Sequence, residues 1–315
     1  MPLNQFGIID ARGEDALSFL HNQLTNDVQH LDGASARLAG YCSPKGRLLA
    51  SLLLWRAGDG VRLLIAQDLR AAIQKRLSMF VLRAKVSLTD VTEELAVIGL
   101  AGEVRHALAP IFEALPDGVH VQADGPAGSL IRVPDALGRV RYLWIGTQAQ
   151  IATHLSQLDS QLMRGSPALW DWLDIHAGEP RITHPVIEQF VPQMVNFEVL
   201  GGVNFRKGCY PGQEVVARSQ YRGTIKRRMT LAHIDTALEQ VGASNELFHS
   251  ADPGQPCGQI VNVAAAPSSG VDALVEIKLA ALESGSVHLR SADGPALHFL
   301  PLPYALPQDD ANQGR

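Results

Sequence analysis

Residues 201–218 read GGVNFRKGCYPGQEVVAR, and within them Lys207-Gly208-Cys209-Tyr210-Pro211-Gly212-Gln213-Glu214 frames one cysteine between two glycines, behind a lysine and ahead of an acid. Pro211-Gly212 favours a turn, and Gln213 to Arg218 can open a helix with Glu214 in its acid-favouring first turn. Cys209 is therefore expected just before a helix N-terminus, with Arg206 and Lys207 adjacent. Such a setting lowers a thiol pKa and gives a partly exposed, reactive thiolate. The plainer alternative is a small residue filling a tight turn, since free cysteine is usually buried.

Working outward, Arg218, Arg222, Lys226, Arg227 and Arg228 follow with no acidic residue among them. They make either a solvated helix face and loop or a local anion site, where arginine gives forked hydrogen bonds. Upstream lies LWDWLDIHAGEPRI, from Leu169 to Ile182. Trp170 and Trp172 suit a core or a platform for a flat heteroaromatic ring. His176 suits a base or ligand less well than a hydrogen-bonded structural role, because no second histidine stands at metal-binding spacing. Walker, dinucleotide, GxSxG and HExxH patterns do not occur.

With 315 residues, the chain is long enough for two or three domains. Its 46% hydrophobic and 19% charged residues are those of a globular protein, and only the final QDDANQGR reads as a loose tail. The apolar runs fall short of a bilayer span and no leader-like pattern opens the sequence, so a cytoplasmic protein is expected. Three widely spaced cysteines, Cys42, Cys209 and Cys257, argue for reduced thiols rather than a disulfide framework or metal knuckle. A net charge of -5 lacks the basic excess of a nucleic-acid binder, so no stable direct nucleic-acid binding is expected.

Periodicity predicts a helix over Asp15–Leu24, an antiparallel meander over Arg37–Cys42, Arg47–Trp55 and Val61–Ala66, and a helix over Asp68–Phe80. A strand over Leu95–Ala101, a helix over Glu103–Leu115, a strand pair over Leu130–Val133 and Val140–Ile145 and a helix over Gln148–Leu162 partly repeat that order. Two related α+β lobes sharing a sheet are expected. Beyond Arg228 the short apolar runs predict a small closed or nearly closed β-barrel, with the boundary near residue 230: residues 1–230 and 231–315.

Taken together, the motif around Cys209, PQMVNFEVLGG before it, LHNQLTNDV (Leu20–Val28), YCSPKGRLL (Tyr41–Leu49), WLDIHAGEP (Trp172–Pro180) and LPLPYAL near the C-terminus resemble the YgfZ family. These are folate-binding relatives of the glycine-cleavage T-protein that support iron–sulfur enzymes. The resemblance implies an α+β cloverleaf of two entwined ferredoxin-like lobes and a C-terminal barrel, with tetrahydrofolate or a derivative in a central cavity. It implies partners among iron–sulfur enzymes or assembly proteins, including those that methylthiolate tRNA. Lys207, Gly208, Cys209, Tyr210, Gly212, Gln213 and Glu214 take the signature positions, with Cys209 the functional thiol, and Trp172 takes a folate-contact position.

Phe6 stands where relatives usually carry tryptophan, keeping a stacking face without the indole N–H. His176 stands where the family usually has a glutamate that would accept from pterin N–H groups. Ala50 and Ser51 replace the T-protein's acidic pair, so glycine-cleavage activity is not expected. Arg222 and Lys226 would attract the glutamate tail of folate or an acidic partner. The rival function is a folate-dependent one-carbon transferase or demethylase acting on a small amine, supported only by the shared scaffold.

Overall fold

A computed structural model describes residues 1–223 and 225–307; the tail expected at QDDANQGR lies outside the described residues. The run LLASLLLW shows why hydrophobic alternation fails along its strand. It lies in β3 (Leu48–Ala57), which joins β1 (Phe6–Arg12), β2 (Ala36–Cys42), β4 (Gly60–Ala66) and β5 (Ser87–Asp90) in an antiparallel sheet of order β2-β3-β4-β1-β5. Leu52 and Leu54 enter one core, with α1 (Ala16–Gln23) and α2 (Arg70–Ser78), while Leu53 and Trp55 enter another. Both faces of the strand are covered, so both sets of side chains are apolar.

The second core is shared with another sheet. Its strands are β6 (Leu95–Ala101), β7 (Gln122–Gly125), β8 (Gly128–Ala136) and β9 (Arg139–Thr147), in the order β6-β9-β8-β7. Leu143 and Ile145 of β9 face the shared core, while Tyr142 and Trp144 face a third core beneath α4 (Gln148–Gln161). The lobes thus share a core and not a sheet, contrary to the sequence expectation. They are entwined: Leu3 N–H donates to the Val97 carbonyl (2.9 Å) and Gln122 N–H to the Ala34 carbonyl (2.9 Å). The helix expected over Glu103–Leu115 is only α3 (Arg105–Leu108). Pro110 lacks an N–H and its ring crowds the preceding turn, which ends the regular helix although Ala109 itself keeps helical dihedrals (φ -56, ψ -34).

After α5 (Pro167–His176) and α6 (Gln213–Tyr221) come β10 (Arg227–Ile234), β11 (Glu246–His249), β12 (Asp252–Ala265), β13 (Val271–Lys278), β14 (Val287–Leu289) and β15 (Leu297–Leu300). They form one sheet of order β14-β11-β12-β13-β10-β15 that curls into a half-barrel. Its two edge strands approach at an isolated bridge between His288 and Ala296. Among the described residues, no helix is long and apolar enough to cross a membrane.

Candidate functional site

The motif loop is held at both ends by parts of the chain far away in sequence. At its C-terminal end, Gly212 takes φ +79 and a β-carbon there would stand 2.4 Å from the Ser43 carbonyl oxygen. That contact docks the start of α6 on the Ser43–Gly46 turn between β2 and β3. At its N-terminal end, Lys207 Nζ donates to the carbonyls of His21 (2.5 Å) and Leu24 (2.9 Å), closing the C-terminus of α1 with a cation. The same ammonium lies 4.8 Å from the Tyr210 ring centroid. Burial pushes the Lys207 ammonium down to about 8, against the upward pull of Asp27 and Cys209.

Of the three cysteines, only Cys209 is exposed. Burial pushes the Cys42 thiol up to about 12 and also raises Cys257, so neither is disposed to ionise. Tyr210 is buried, and burial raises its phenol. Gln213 and Glu214 open α6, where the exposed Glu214 pairs with Arg218 at 2.7 Å.

The row of cations after the motif is less available than its sequence suggests. Arg227 forks onto the buried Glu276, and Arg228 pairs with Glu198 in a buried site. Of the five cations in this run, Arg222 and Lys226 are exposed and Arg218 faces Glu214.

Helix α5 divides the remaining candidates between two faces. Trp172 and His176, one turn apart, point to the half-barrel: Trp172 Nε1 and His176 Nε2 each lie 2.7 Å from Asp272 Oδ2 on β13. His233 Nδ1 approaches Oδ1 of the same carboxylate at 2.8 Å. Burial alone would raise Asp272, but hydrogen bonds from His176, His233 and Trp172 outweigh it and bring the carboxyl down to about 2. Tyr304, in the LPLPYAL segment, lies against Gly178 and donates its hydroxyl to the Gly178 carbonyl at 2.9 Å.

Trp170 and Asp174 occupy another face of α5 and line a chamber of about 50 Å³ with Phe6, Ser51, Glu179 and Arg181. Arg181 holds Asp171 at 2.6 Å and lies 5.0 Å from the Phe6 ring centroid. Arg141, fully buried, binds Asp174 at 2.6 Å, while its Nη2 has no hydrogen-bond partner and stands 3.8 Å from Glu179. Burial pushes the Asp174 carboxyl up to about 6 although Arg141 and Arg181 oppose it, and burial raises Glu179 as well. A groove of about 1260 Å³ adjoins the chamber at Phe6 and runs along β6 and α4.

The structure thus brings Lys207, Gly208, Cys209, Tyr210 and Gly212 into one anchored loop, and Trp172 with His176 onto one carboxylate. Phe6 belongs to the separate chamber, Arg222 stands at the end of α6 and Lys226 immediately precedes β10. Sequence reasoning missed Asp272, Asp174, Glu179 and Arg181 as site residues. The last three stand in or beside WLDIHAGEP, whose density of charge next to tryptophan was the available signal.

No family model matches the chain. A protein of Klebsiella pneumoniae (strain 342) named tRNA-modifying protein YgfZ is 31% identical over 309 residues, covering 97% of this chain and 93% of the relative. The protein of that name in Edwardsiella ictaluri (strain 93-146) is 36% identical over 234 residues, covering 73% and 69%. Among solved structures, the glycine cleavage system aminomethyltransferase T from Bartonella henselae superimposes with a TM-score of 0.74 at 19% identity, covering 96% of this chain and 84% of that one. That likeness is one of fold.

Proposed function

The chain belongs to the YgfZ family, and from that membership we propose a folate-binding accessory protein for the assembly, repair or activity of iron–sulfur enzymes, including those that methylthiolate tRNA. The name its relatives carry, tRNA-modifying protein, supports the tRNA side of this reading. The observation that carries it is the exposed Cys209 on a loop pinned at both ends, while the other two thiols are buried. A pinned loop presenting one accessible thiol suits transient contact with a cluster or persulfide on a partner. One thiolate does not supply the four ligands of a resident cluster.

The chamber of about 50 Å³ would take only the polar edge of a tetrahydrofolate pterin, with the body of the ligand in the adjoining groove of about 1260 Å³. A reduced pterin offers N–H donors along one edge and a carbonyl oxygen beside them. Asp174 and Glu179 would accept from the former, and Arg181 would donate to the latter. The family's glutamate position is His176, and these two carboxylates would take over its part. Phe6 would pack against the ring, and Trp172 and His176 would act from behind by fixing α5 to Asp272. Folate bound there would bring a one-carbon carrier and reductant. In this reading residues 1–230 hold the folate, residues 231–315 buttress α5, and Arg222 with Lys226 draws the glutamate tail or an acidic partner.

Cells lacking the native protein decide the thiol's role. Cys209→Ala is expected to fail to restore an iron–sulfur tRNA methylthiolation enzyme, and full restoration would remove Cys209 from the function. The second reading, a one-carbon transferase or demethylase acting on a small amine, draws on Asp174, whose carboxyl titrates within reach of neutrality. Mixing the protein with tetrahydrofolate and candidate amines separates the two: turnover to 5,10-methylenetetrahydrofolate favours the transferase.

A further inference from the structure

Helix α2 ends at Ser78, and the four residues that follow turn three large apolar side chains into solvent. Met79 is 61% exposed, Phe80 46% and Leu82 86%. Among the described residues, no other stretch of four exposes three large apolar side chains. A single exposed apolar residue is ordinary on a protein surface, whereas a contiguous group marks an interaction site. The turn is fixed from beneath. Leu77 is fully buried and Val81 and Ala84 pack against the same core. The N–H groups of Phe80 and Val81 donate to the carbonyls of Leu77 (2.9 Å) and Ser78 (3.1 Å). Turning Phe80 and Leu82 inward would therefore withdraw Val81 from the core.

Charge around the turn has one sign. From Leu69 to Thr89 the sequence holds Arg70, Lys75, Arg76, Arg83 and Lys85 and no acidic residue. Arg70 is matched by Asp90 (3.0 Å) and Lys85 by Glu14 (2.7 Å), and Arg76 is half-buried. Lys75 and Arg83 remain exposed, and among the described residues neither pairs with a carboxylate. They flank the apolar group: the Met79 N–H donates to the Lys75 carbonyl (3.2 Å), and Arg83 follows Leu82.

We propose that this turn is a docking surface for an acidic amphipathic segment of a protein partner, whose apolar side chains cover Met79, Phe80 and Leu82 while its carboxylates meet Lys75 and Arg83. Methionine, phenylalanine and arginine are enriched at interfaces, and arginine offers a carboxylate two parallel hydrogen bonds that fix its register. An anionic lipid surface matches the turn less well, because lipid recognition of this kind takes about 4 to 8 clustered Lys or Arg. Two free cations on a chain of net charge -5 fall short of that. The inference uses neither the thiol of Cys209 nor the folate chamber, so it stands or falls apart from both.

The test is photo-crosslinking in cells that make the full-length protein with Leu82→p-benzoylphenylalanine, the adduct being identified by peptide mass. The same probe in place of the exposed Leu282, on the half-barrel, gives the background. The expected adduct is one defined segment of another protein, with apolar residues and more Asp and Glu than Lys and Arg, at a yield about tenfold or more above background. Adding Phe80→Ser with Arg83→Glu should lower that yield about tenfold while the urea midpoint of the purified protein stays unchanged. If the midpoint falls, Arg83→Glu alone, at an exposed position, decides by the same loss of yield. A yield at background, an adduct with lipid, with a basic segment or with a second copy of this chain, or a yield indifferent to Arg83→Glu would overturn the proposal.

Discussion

Gly46 and Gly212 meet backbone to backbone: a β-carbon on Gly212 would stand 2.6 Å from Gly46 Cα, and one on Gly46 would stand 3.1 Å from the Gly212 carbonyl oxygen. YCSPKGRLL and the cysteine motif are therefore two halves of one contact. Gly212→Ala must place a side chain at φ +79 and force the β2–β3 turn away. Left-handed strain and overpacking together predict a loss of about 2 to 4 kcal/mol. A fall in the urea midpoint, with faster alkylation of the otherwise buried Cys42, is the expected result. An unchanged midpoint would show that the two turns are not wedged together.

Lys207 closes α1 through the carbonyls of His21 and Leu24. Lys207→Met keeps the stem and removes the cation, which is expected to cost about 1 kcal/mol near neutral pH. The pH dependence has a defined sign. The folded-state pKa, about 8, lies below the ordinary 10.5, so the unfolded chain holds this proton more tightly. Stability contributed by Lys207 therefore rises with pH between about 8 and 10.5. Competitive acylation should place Lys207 near 8, and a lysine titrating at its ordinary value would show that the ammonium is solvated.

The motif's own conformation was legible in sequence because Pro211, Gly212 and Glu214 act locally through turn and helix-start preferences. The double burial of β3 corresponds to an apolar run, Leu48 to Trp55, interrupted only by Ser51. Asp272 was not legible, because it lies 96 residues from His176 and 100 from Trp172 in a strand whose neighbours are ordinary apolar residues. The cation row misled for a related reason: Glu276 and Glu198, which neutralise Arg227 and Arg228, are supplied by other segments. Local preference writes turns and helix starts into a sequence. Long-range pairing of buried charge leaves no period to read.

Asp272 accepts from three side chains while almost fully buried. Asp272→Asn would turn an amide toward donors arranged for a carboxylate, and a loss of about 2 to 4 kcal/mol is expected at neutral pH. With a folded pKa of about 2 against an ordinary 3.8, the carboxylate's contribution is fully present above 3.8 and fades as pH falls to about 2. Wild type and variant should thus differ in urea midpoint near pH 7 and converge near pH 2. A constant difference across that range would show that packing, not the charge, is what the substitution removes.

The chamber is tested by folate itself. Asp174→Asn and Arg181→Ala each remove a charged partner proposed for the pterin edge, and each is expected to weaken tetrahydrofolate about 10- to 100-fold in a tryptophan-fluorescence titration, with Trp170 as reporter. His176→Glu separates this arrangement from one in which α5 holds the pterin through residue 176. Its carboxylate would face Asp272, whose Oδ2 now lies 2.7 Å from His176 Nε2, and repulsion there should lower the unfolding midpoint without improving affinity. Tighter folate binding by His176→Glu, with Asp174→Asn silent, would move the pterin to the half-barrel face of α5 and overturn the assignment of the chamber.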